Sequence, residues 1–592
     1  MTPTDAIDAV TKPHSVIRNL MGSKDASDVD AREALITEHF RELFKEPSER
    51  EKIPSFTVSD PLTLPPGTLV RYRCMIQDPG LGQEIYLKWA PLKSAEAAST
   101  WVFNKYSDRP LQKEAERGEI SPVWEIDYAA AGIVYDEKQL CYGVPLPGEN
   151  KWVKAHDRNW TGPEREREML EPTSQPAGDD EAGGRRPAKQ INIPSKMTTA
   201  AQNTPAAIVK IYDSDRCPKV AEAIEVVGVF EWTQFGEEGH AMQLPSIHAI
   251  YYDSIDIKDL CPPSPDVGVS SSLDFETIRT ELIRRLSDTL GGDEVAAEII
   301  LLSMVATVNR VHNMPIGKFH VNLCNVKTDP AAESTPVSPS APTPVLRPFY
   351  ALLANCLPLS LYLPLALDFL NGVAFAPRSN ADHLAAGLLQ VTQSTYWLVD
   401  ETAMRNGQLR DAGILNIRAL NQVLTELKLE YEFPFQRLEF ETEVKVLVVS
   451  EGKSFLPSDC MVPLSAPAAE RLSHDGPSTL TNPEEGPGSA DPMDWEIIRH
   501  YLKTCLAIDY AIDPEMAKKI QTDYVEERKQ TMTNKEPTIN QLDLSYRLTL
   551  AKLVAISKGI KELTDEIWSY TCNLDNVRKE RVAEFEAARV KA

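Results

Sequence analysis

Four short apolar runs in the second half of the chain, Phe319–Val326, Leu359–Leu367, Tyr396–Val399 and Val444–Ser450, constrain its fold more than any other feature. Each is nearly continuous in hydrophobic residues instead of alternating, the pattern of a strand buried on both faces. Helical segments separate them. Leu273–Leu290 is amphipathic and stops at Gly291-Gly292, which suit a helix C-terminus, and Asp293 can cap the next helix, Glu294–Val308. Alternation of this kind predicts a parallel sheet covered on both faces across residues 273–465.

The remaining segments differ in character. Residues 1–54 are expected to be helical. Residues 55–262 carry short β-like runs, including Thr68–Gln77 between the turn signals Pro65-Pro66-Gly67 and Asp78-Pro79-Gly80, and later Ala207–Tyr212, Ala223–Phe230 and Ile247–Tyr252. They predict one strand-rich small barrel, interrupted at 156–205 by a polar Gly/Pro-rich insertion expected to be disordered. Within that insertion Arg185, Arg186 and Lys189 suit a nuclear-import signal, although a solvated charge run is favoured. Residues 328–348 read as a loop insertion and 466–492 as a linker, both rich in Pro and Ser. From 493 to 592 the pattern is helical. Trp495, Ile498, Leu502 and Cys505 form one stripe, Met516, Ile520 and Tyr524 a second, and Thr538-x-x-Gln541 has capping-box spacing.

With 592 residues, at roughly 100–200 per domain, three or four domains are expected. The formal net charge of −25 argues against tight nucleic-acid binding through bulk charge and favours basic protein partners. The helical tail, with 16 basic and 17 acidic residues, is nearly neutral, so the excess lies in the first 493 residues. Nine cysteines without a C-x-x-C argue against a zinc ribbon or redox dithiol and fit a reducing compartment. The N-terminus, broken by Asp5, Asp8 and Lys12, has no apolar run for a signal peptide. The uncharged stretch Pro348–Leu367 contains Pro358 and Pro364 and reads as a short helix plus a buried strand, not a membrane span. A soluble intracellular protein is expected.

The most informative motif is Tyr396-Trp397-Leu398-Val399-Asp400-Glu401. P-loop ATPases use an apolar strand ending in Asp-Glu to place one carboxylate near magnesium and another near the attacking water. The phosphate cradle that should accompany it is missing. After the strand Phe319–Val326 comes Lys327-Thr328-Asp329-Pro330-Ala331-Ala332-Glu333-Ser334, with no glycine and with carboxylates that would repel a triphosphate. Ser450-Glu451-Gly452-Lys453-Ser454 contains Gly-Lys-Ser, but Leu447 stands where the first glycine belongs and Pro457 follows where a helix should run; a polar strand-to-loop exit is expected. H-E-x-x-H, G-x-S-x-G and G-x-G-x-x-G do not occur. Ser246 and His248 are expected not to form a nucleophile–base pair, leaving His248 a structural role.

Together these parts resemble the minichromosome maintenance (Mcm) complex-binding protein family. The resemblance rests on Gly291–Glu298 (GGDEVAAE), Pro315–Leu323 (PIGKFHVNL), the Asp400-Glu401 strand, Ser450–Cys460 (SEGKSFLPSDC), Leu69–Asp78 (LVRYRCMIQD) and Tyr142–Glu149 (YGVPLPGE). It implies an oligonucleotide-binding (OB)-like barrel, a degenerate AAA+-like α/β domain and a C-terminal lid, laid out as in Mcm helicase subunits. The place matching the lid arginine of those subunits is Asn540, and Ser458-Asp459-Cys460 lies near where they supply a trans-acting arginine. The resemblance therefore implies a non-catalytic partner of Mcm subunits that supports assembly or unloading of their complex in DNA replication and sister-chromatid cohesion. It also implies a nuclear location, indirect chromatin association, and no strong DNA binding, membrane, cofactor or metal. Asp400 and Glu401 would be an inactive Walker-B-like remnant. The alternatives are an active AAA+ ATPase, or a barrel that binds single-stranded nucleic acid through Arg71 and Arg73.

Overall fold

The computed structural model describes residues 3–591 except 22–28, 58, 60, 94–99, 109–124, 131, 158–205, 214–215, 236–241, 262–273, 312–313, 328–341, 381–382, 475–494 and 535–539. Nearly all of the expected 156–205 insertion, most of the 328–348 loop and the basic cluster at Arg185 therefore lie outside the described residues.

Seven described strands form the sheet of the first unit, and five of them close it: β1 (Leu69–Lys93), β2 (Val134–Val144), β3 (Ala207–Ile211), β4 (Ala223–Phe235) and β5 (Met242–Ser254); the short strands Thr100–Phe103 and Glu125–Ile126 both pair with β1. The five lie in the order β1-β2-β3-β5-β4, and a second edge of β1 pairs with β4 from Leu69↔Val229 to Met75↔Ala223, so the sheet closes on itself. β3 and β5 are parallel and the other neighbours antiparallel. The turn expected at Asp78-Pro79-Gly80 does not end β1. The strand continues, with register shifts against β2 on both sides of Asp78, whose carboxylate accepts from Gly80 N–H at 2.8 Å. Gly228 is required where β4 shifts register against β5, because a Cβ there would lie 2.3 Å from the His248 carbonyl oxygen. Helices α1 (Pro3–Thr11), α2 (Pro13–Met21) and α3 (Val29–Leu43) bury Ile17, Ile36 and Phe40 against Trp89, Val229 and Tyr251 on the outside of the barrel.

The second unit is a wholly parallel sheet of β6 (Val321–Cys324), β7 (Ser360–Pro364), β8 (Tyr396–Asp400), β9 (Lys445–Val449) and β10 (Cys460–Pro463), ordered β7-β8-β9-β6-β10. Side chains alternate between faces. Tyr396 and Leu398 face a core built with α4 (Phe275–Thr289), α5 (Glu294–Met304) and α6 (Arg347–Cys356). Trp397 and Val399 face another that includes Leu420, Val423 and Leu424 of α7 (Asp411–Glu426). Because both faces are covered, the strands carry no alternating pattern and read as continuous apolar runs. The stretch Pro348–Leu367 resolves into α6 and β7 as expected, and no helix among the described residues is long and apolar enough to cross a membrane.

One boundary differs from expectation. The linker expected at 466–492 opens with a helix, α8 (Ala466–His474), because Ala468 and Ala469 are buried and pack against the loop at Gly291. The capping box of the tail helix Gln541–Ser557 uses Asn540 and Asp543, and Thr538 of the expected box lies outside the described residues. The tail helices are α9 (Trp495–Leu506), α10 (Pro514–Asn534), α11 (Gln541–Ser557) and α12 (Asp565–Lys591). They do not form a core of their own. Ile498, Leu502, Ile520, Leu550 and Val554 join the same cluster as Val321, Leu398 and Leu447 of the sheet.

One buried carboxylate fastens the tail. Asp293 caps α5 at Ala296 N–H (3.1 Å), accepts from Ser465 N–H after β10 (2.8 Å), and holds Arg581 of α12 at 2.8 and 2.9 Å. Burial raises its pKa, but the Arg581 hydrogen bonds and the two backbone donors outweigh this and the net shift is downward. A lowered carboxylate pKa adds stability that is complete above the unfolded-state value and fades as pH falls through the folded one. Asp293→Ala should therefore destabilise the chain by about 3–5 kcal/mol at neutral pH, through the stranded Arg581 and the lost cap. In urea titrations that difference should shrink as pH falls below the normal Asp range.

Candidate functional site

In open α/β sheets, ligands bind in the crevice beyond the carboxyl ends of the strands, where connections diverge from neighbouring strands. Here that place lies beyond β6, β8 and β9. Asn325, directly after β6, has φ +64°. Its N–H donates to Glu451 O at 3.2 Å, and Val326 N–H donates to Ser450 O at 3.2 Å. The first backbone donors after the leading strand, which a phosphate cradle would aim at its ligand, are thus bonded to the loop after β9. Asn325 Nδ2 donates to Leu464 O at 2.8 Å and secures the turn from the other side. Buried Asn322 donates to Ser450 Oγ at 2.8 Å, and its Oδ1 accepts from Ser454 N–H at 3.4 Å. Gly452 of the Gly-Lys-Ser sequence sits under α12, where a Cβ would come within 2.8 Å of the Arg589 guanidinium. Lys453 is exposed. The Ser450–Ser454 segment is a loop closing over the sheet, as its lack of cradle geometry suggested.

Asp400 and Glu401 stand at the end of β8, and each is engaged internally. Asp400 is fully buried. Its Oδ2 accepts from Tyr362 OH at 2.6 Å and Thr343 Oγ1 at 3.3 Å, and its Oδ1 from Thr402 N–H at 3.0 Å and Thr402 Oγ1 at 2.5 Å. Four donors match the capacity of one carboxylate. Burial raises the Asp400 pKa and the donors only partly oppose it, so the net shift is upward. Glu401 accepts from Ser454 Oγ and from the Phe455 backbone, and burial raises its pKa as well. Sequence reasoning located both carboxylates but not their distant partners Tyr362, Thr343 and Ser454, which lie 38–57 positions away.

The two places expected to match Mcm arginines serve the fold. Asn540 is the N-cap of α11 and accepts from Asp543 N–H at 3.0 Å. Asp459 accepts from His320 N–H at 2.8 Å and pairs with Lys318 at 3.1 Å. His320 itself is buried, its pKa pushed down to about 3 by burial and then by Lys318, so it is neutral at physiological pH. The arginine that α11 does bury, Arg547, is held by Glu527 (2.6 and 3.0 Å) and Asp575 (3.1 Å).

In the barrel, Arg71 pairs with Glu225 at 3.3 Å and Arg73 with Glu149 at 2.5 Å, so both cations of the nucleic-acid alternative are engaged by carboxylates. Residues two apart on a strand share a face, yet Ser246 Oγ donates to Glu231 O while His248 Nδ1 meets Tyr212 OH at 2.6 Å. These two residues form no nucleophile–base pair. One cluster escaped sequence reasoning: single ligand atoms of Asp108, Glu231 and His248 lie within 4.8 Å of one another. Lys210 and Lys138 already bond the two oxygens of Asp108. Two ammonium groups thus sit where a metal ion would neutralise charge, and the cluster is an internal ion network. Its members are too scattered in sequence to have signalled it.

The model of the mini-chromosome maintenance replisome factor family matches residues 40–181 and 172–582. The chain belongs to this family. Mini-chromosome maintenance complex-binding protein of Arabidopsis thaliana is 27% identical over an alignment covering 98% of this chain and 99% of its own. The Gallus gallus protein of that name is 26% identical, covering 97% and 98%, and the Homo sapiens one 26%, covering 93% and 94%. Family membership spans both the barrel and the sheet, including Asp400, Glu401 and the loop that covers them.

With its acceptor capacity filled, Asp400 should behave as a core residue. Asp400→Ala leaves Tyr362, Thr343 and Thr402 donors unmatched and should cost about 2–4 kcal/mol in denaturant unfolding. Equilibrium titration with labelled ATP and magnesium should give no saturable micromolar binding in either protein.

Proposed function

We propose that this chain is a non-catalytic binding partner of Mcm helicase subunits, built on the scaffold of an Mcm-like subunit whose nucleotide site has been replaced by internal packing. The single observation that carries the reading is the closed carboxyl end of the parallel sheet. Asn325 and Val326 N–H groups are bonded to the loop after β9, and Asp400 is filled by four protein donors. A closed path of five strands with one parallel pair, within a seven-stranded sheet, supports the OB-like assignment. A parallel sheet whose leading strand lies inside, with Asp-Glu on a neighbouring strand end, supports the degenerate AAA+ assignment.

In this reading the sheet unit and its helical tail offer Mcm-type faces to Mcm subunits without consuming ATP. The relatives' name, a binding protein of the mini-chromosome maintenance complex, supports the choice of partner. We assign the chain a role in assembling or unloading that complex during replication, with consequences for sister-chromatid cohesion, in the nucleus. Chromatin association would then be indirect, through the partner, since Arg71 and Arg73 are already paired.

The test is affinity purification of the full-length chain from cells with mass spectrometry of its partners, followed by titration against the purified Mcm complex. Mcm subunits should dominate the recovered proteins, and affinity should change less than twofold between magnesium-ATP and nucleotide-free buffer. Recovery without Mcm subunits, or ATP turnover by the chain alone, would overturn the reading.

A further inference from the structure

The barrel and the sheet are joined along one side and separated along another. The join is made by the Tyr142–Glu149 motif and the residues just after it. Gly148, at φ +75°, lies where a Cβ would come within 2.7 Å of Leu361, and its carbonyl accepts from Ser360 N–H at 2.9 Å. Asn150 Nδ2 donates to Leu357 O at 2.6 Å, and Trp152 Nε1 to Ala354 O at 3.0 Å beneath the Arg499 guanidinium. Gln77 and Gln390 exchange a second set of bonds, with Gln390 Nε2 on Gln77 O at 2.8 Å and Gln77 Nε2 on Leu384 O at 3.2 Å.

Beside these fastenings opens a cleft of about 1300 Å³. One wall is the barrel, at 78–80, 219–223 and 254–260; the other includes a hairpin of strands Lys428–Glu432 and Arg437–Glu441. The volume exceeds the ~300–1,000 Å³ typical of small-molecule sites, so a peptide segment suits it better than a metabolite. Its charge is one-sided. The barrel wall contributes Asp78, Glu222, Asp256 and Asp259, and the hairpin side Glu439, Glu441 and Glu443. Against these seven carboxylates stand only Lys219, Lys258 and Lys445. Arg310 behind Glu441 and Glu443, and Lys428 beside Glu439, reduce the excess without reversing it. Between the charges the lining is apolar, through Val220, Ile255, Ile257, Phe433 and Phe440.

We infer that this cleft is the docking groove for an extended Lys/Arg-rich segment of the partner protein, with basic side chains on the carboxylate walls and apolar ones on the Ile255–Phe440 floor. The inference rests on the Mcm-binding reading and adds to it the surface and the chemistry of the segment recognised. Electrostatic complementarity of this kind speeds association and selects among partners, and it weakens with salt.

The test places a benzoyl-phenylalanine photocrosslinker at Lys219 or at Glu439 in the full-length chain, irradiates it with the purified Mcm complex, and maps the joined peptides by mass spectrometry. Both positions should capture one segment carrying a net positive charge. Glu222→Lys combined with Glu439→Lys should weaken binding of the complex at least tenfold, with unchanged circular dichroism, and the loss should diminish as salt is raised. Intact Mcm binding with no crosslink from either position, capture of a neutral or acidic segment, or affinity within twofold in the double variant would each overturn the groove while leaving Mcm binding in place. An unmodified chain that fails to bind the Mcm complex would refute both.

Discussion

The hydrogen-bonded carboxylate of Asp293 governs how the second half of this molecule is assembled. It joins three segments that are distant in sequence: the start of α5, the chain leaving β10, and α12 near the C-terminus. Such a group, buried without its partners, would carry a desolvation cost that nothing repays. Because Arg581 is fixed at that point, α12 is fixed along the edge of the sheet, where Arg578 donates to Met461 O at 3.2 Å. Eight residues on from Arg581, about 12 Å along a helix, Arg589 rests against Gly452. The loop beneath Arg589 is the one that occupies the backbone donors after β6 and the hydrogen-bonding capacity of Glu401. A contact just beyond the end of β10 thus helps hold the sheet's carboxyl end closed.

The polar groups at the sheet's carboxyl end are bonded to one another. The donors after β6 and the acceptors at the end of β8 find their partners within the protein. A buried polar network is stable when every member is matched and costly when one is removed. Tyr362, Thr343, Thr402 and Asp400 meet that condition, and so do Asn322, Ser450 and Ser454 around the neighbouring strand ends. Packing and internal hydrogen bonds therefore account for the Asp-Glu strand end in this chain.

Much of this was legible in the sequence, for identifiable reasons. Four of the five parallel strands showed as continuous apolar runs because both of their faces are covered. The fifth, Cys460–Pro463, has four residues and ends in proline, too short to register as a period. The hairpin at Lys428–Glu441 carries the alternation of strands, but over only five residues each, rich in Glu, Leu and Lys that also suit helices, and its second strand is largely exposed. The capping box at Asn540 and Asp543 was not singled out in the sequence, because Thr538 and Asn540 are both residue types that cap well. Asp400 and Glu401 were visible as a strand-end motif. The network that fills Asp400 was not, since Thr343 and Tyr362 become its neighbours only when β7 pairs with β8 and the chain before α6 folds over them. The Asp108–Lys210–His248 network was hidden for the same reason: spacing along the chain carries no trace of contacts made across a closed barrel.

The central claim, that the nucleotide site is filled by the protein itself, is tested most directly by amide hydrogen exchange over residues 321–327 and 447–454. Exchange should be slow at Asn325 and Val326 and the same with and without saturating magnesium and a non-hydrolysable ATP analogue. Fast exchange at those two amides, or protection there that appears saturably with nucleotide, would contradict it.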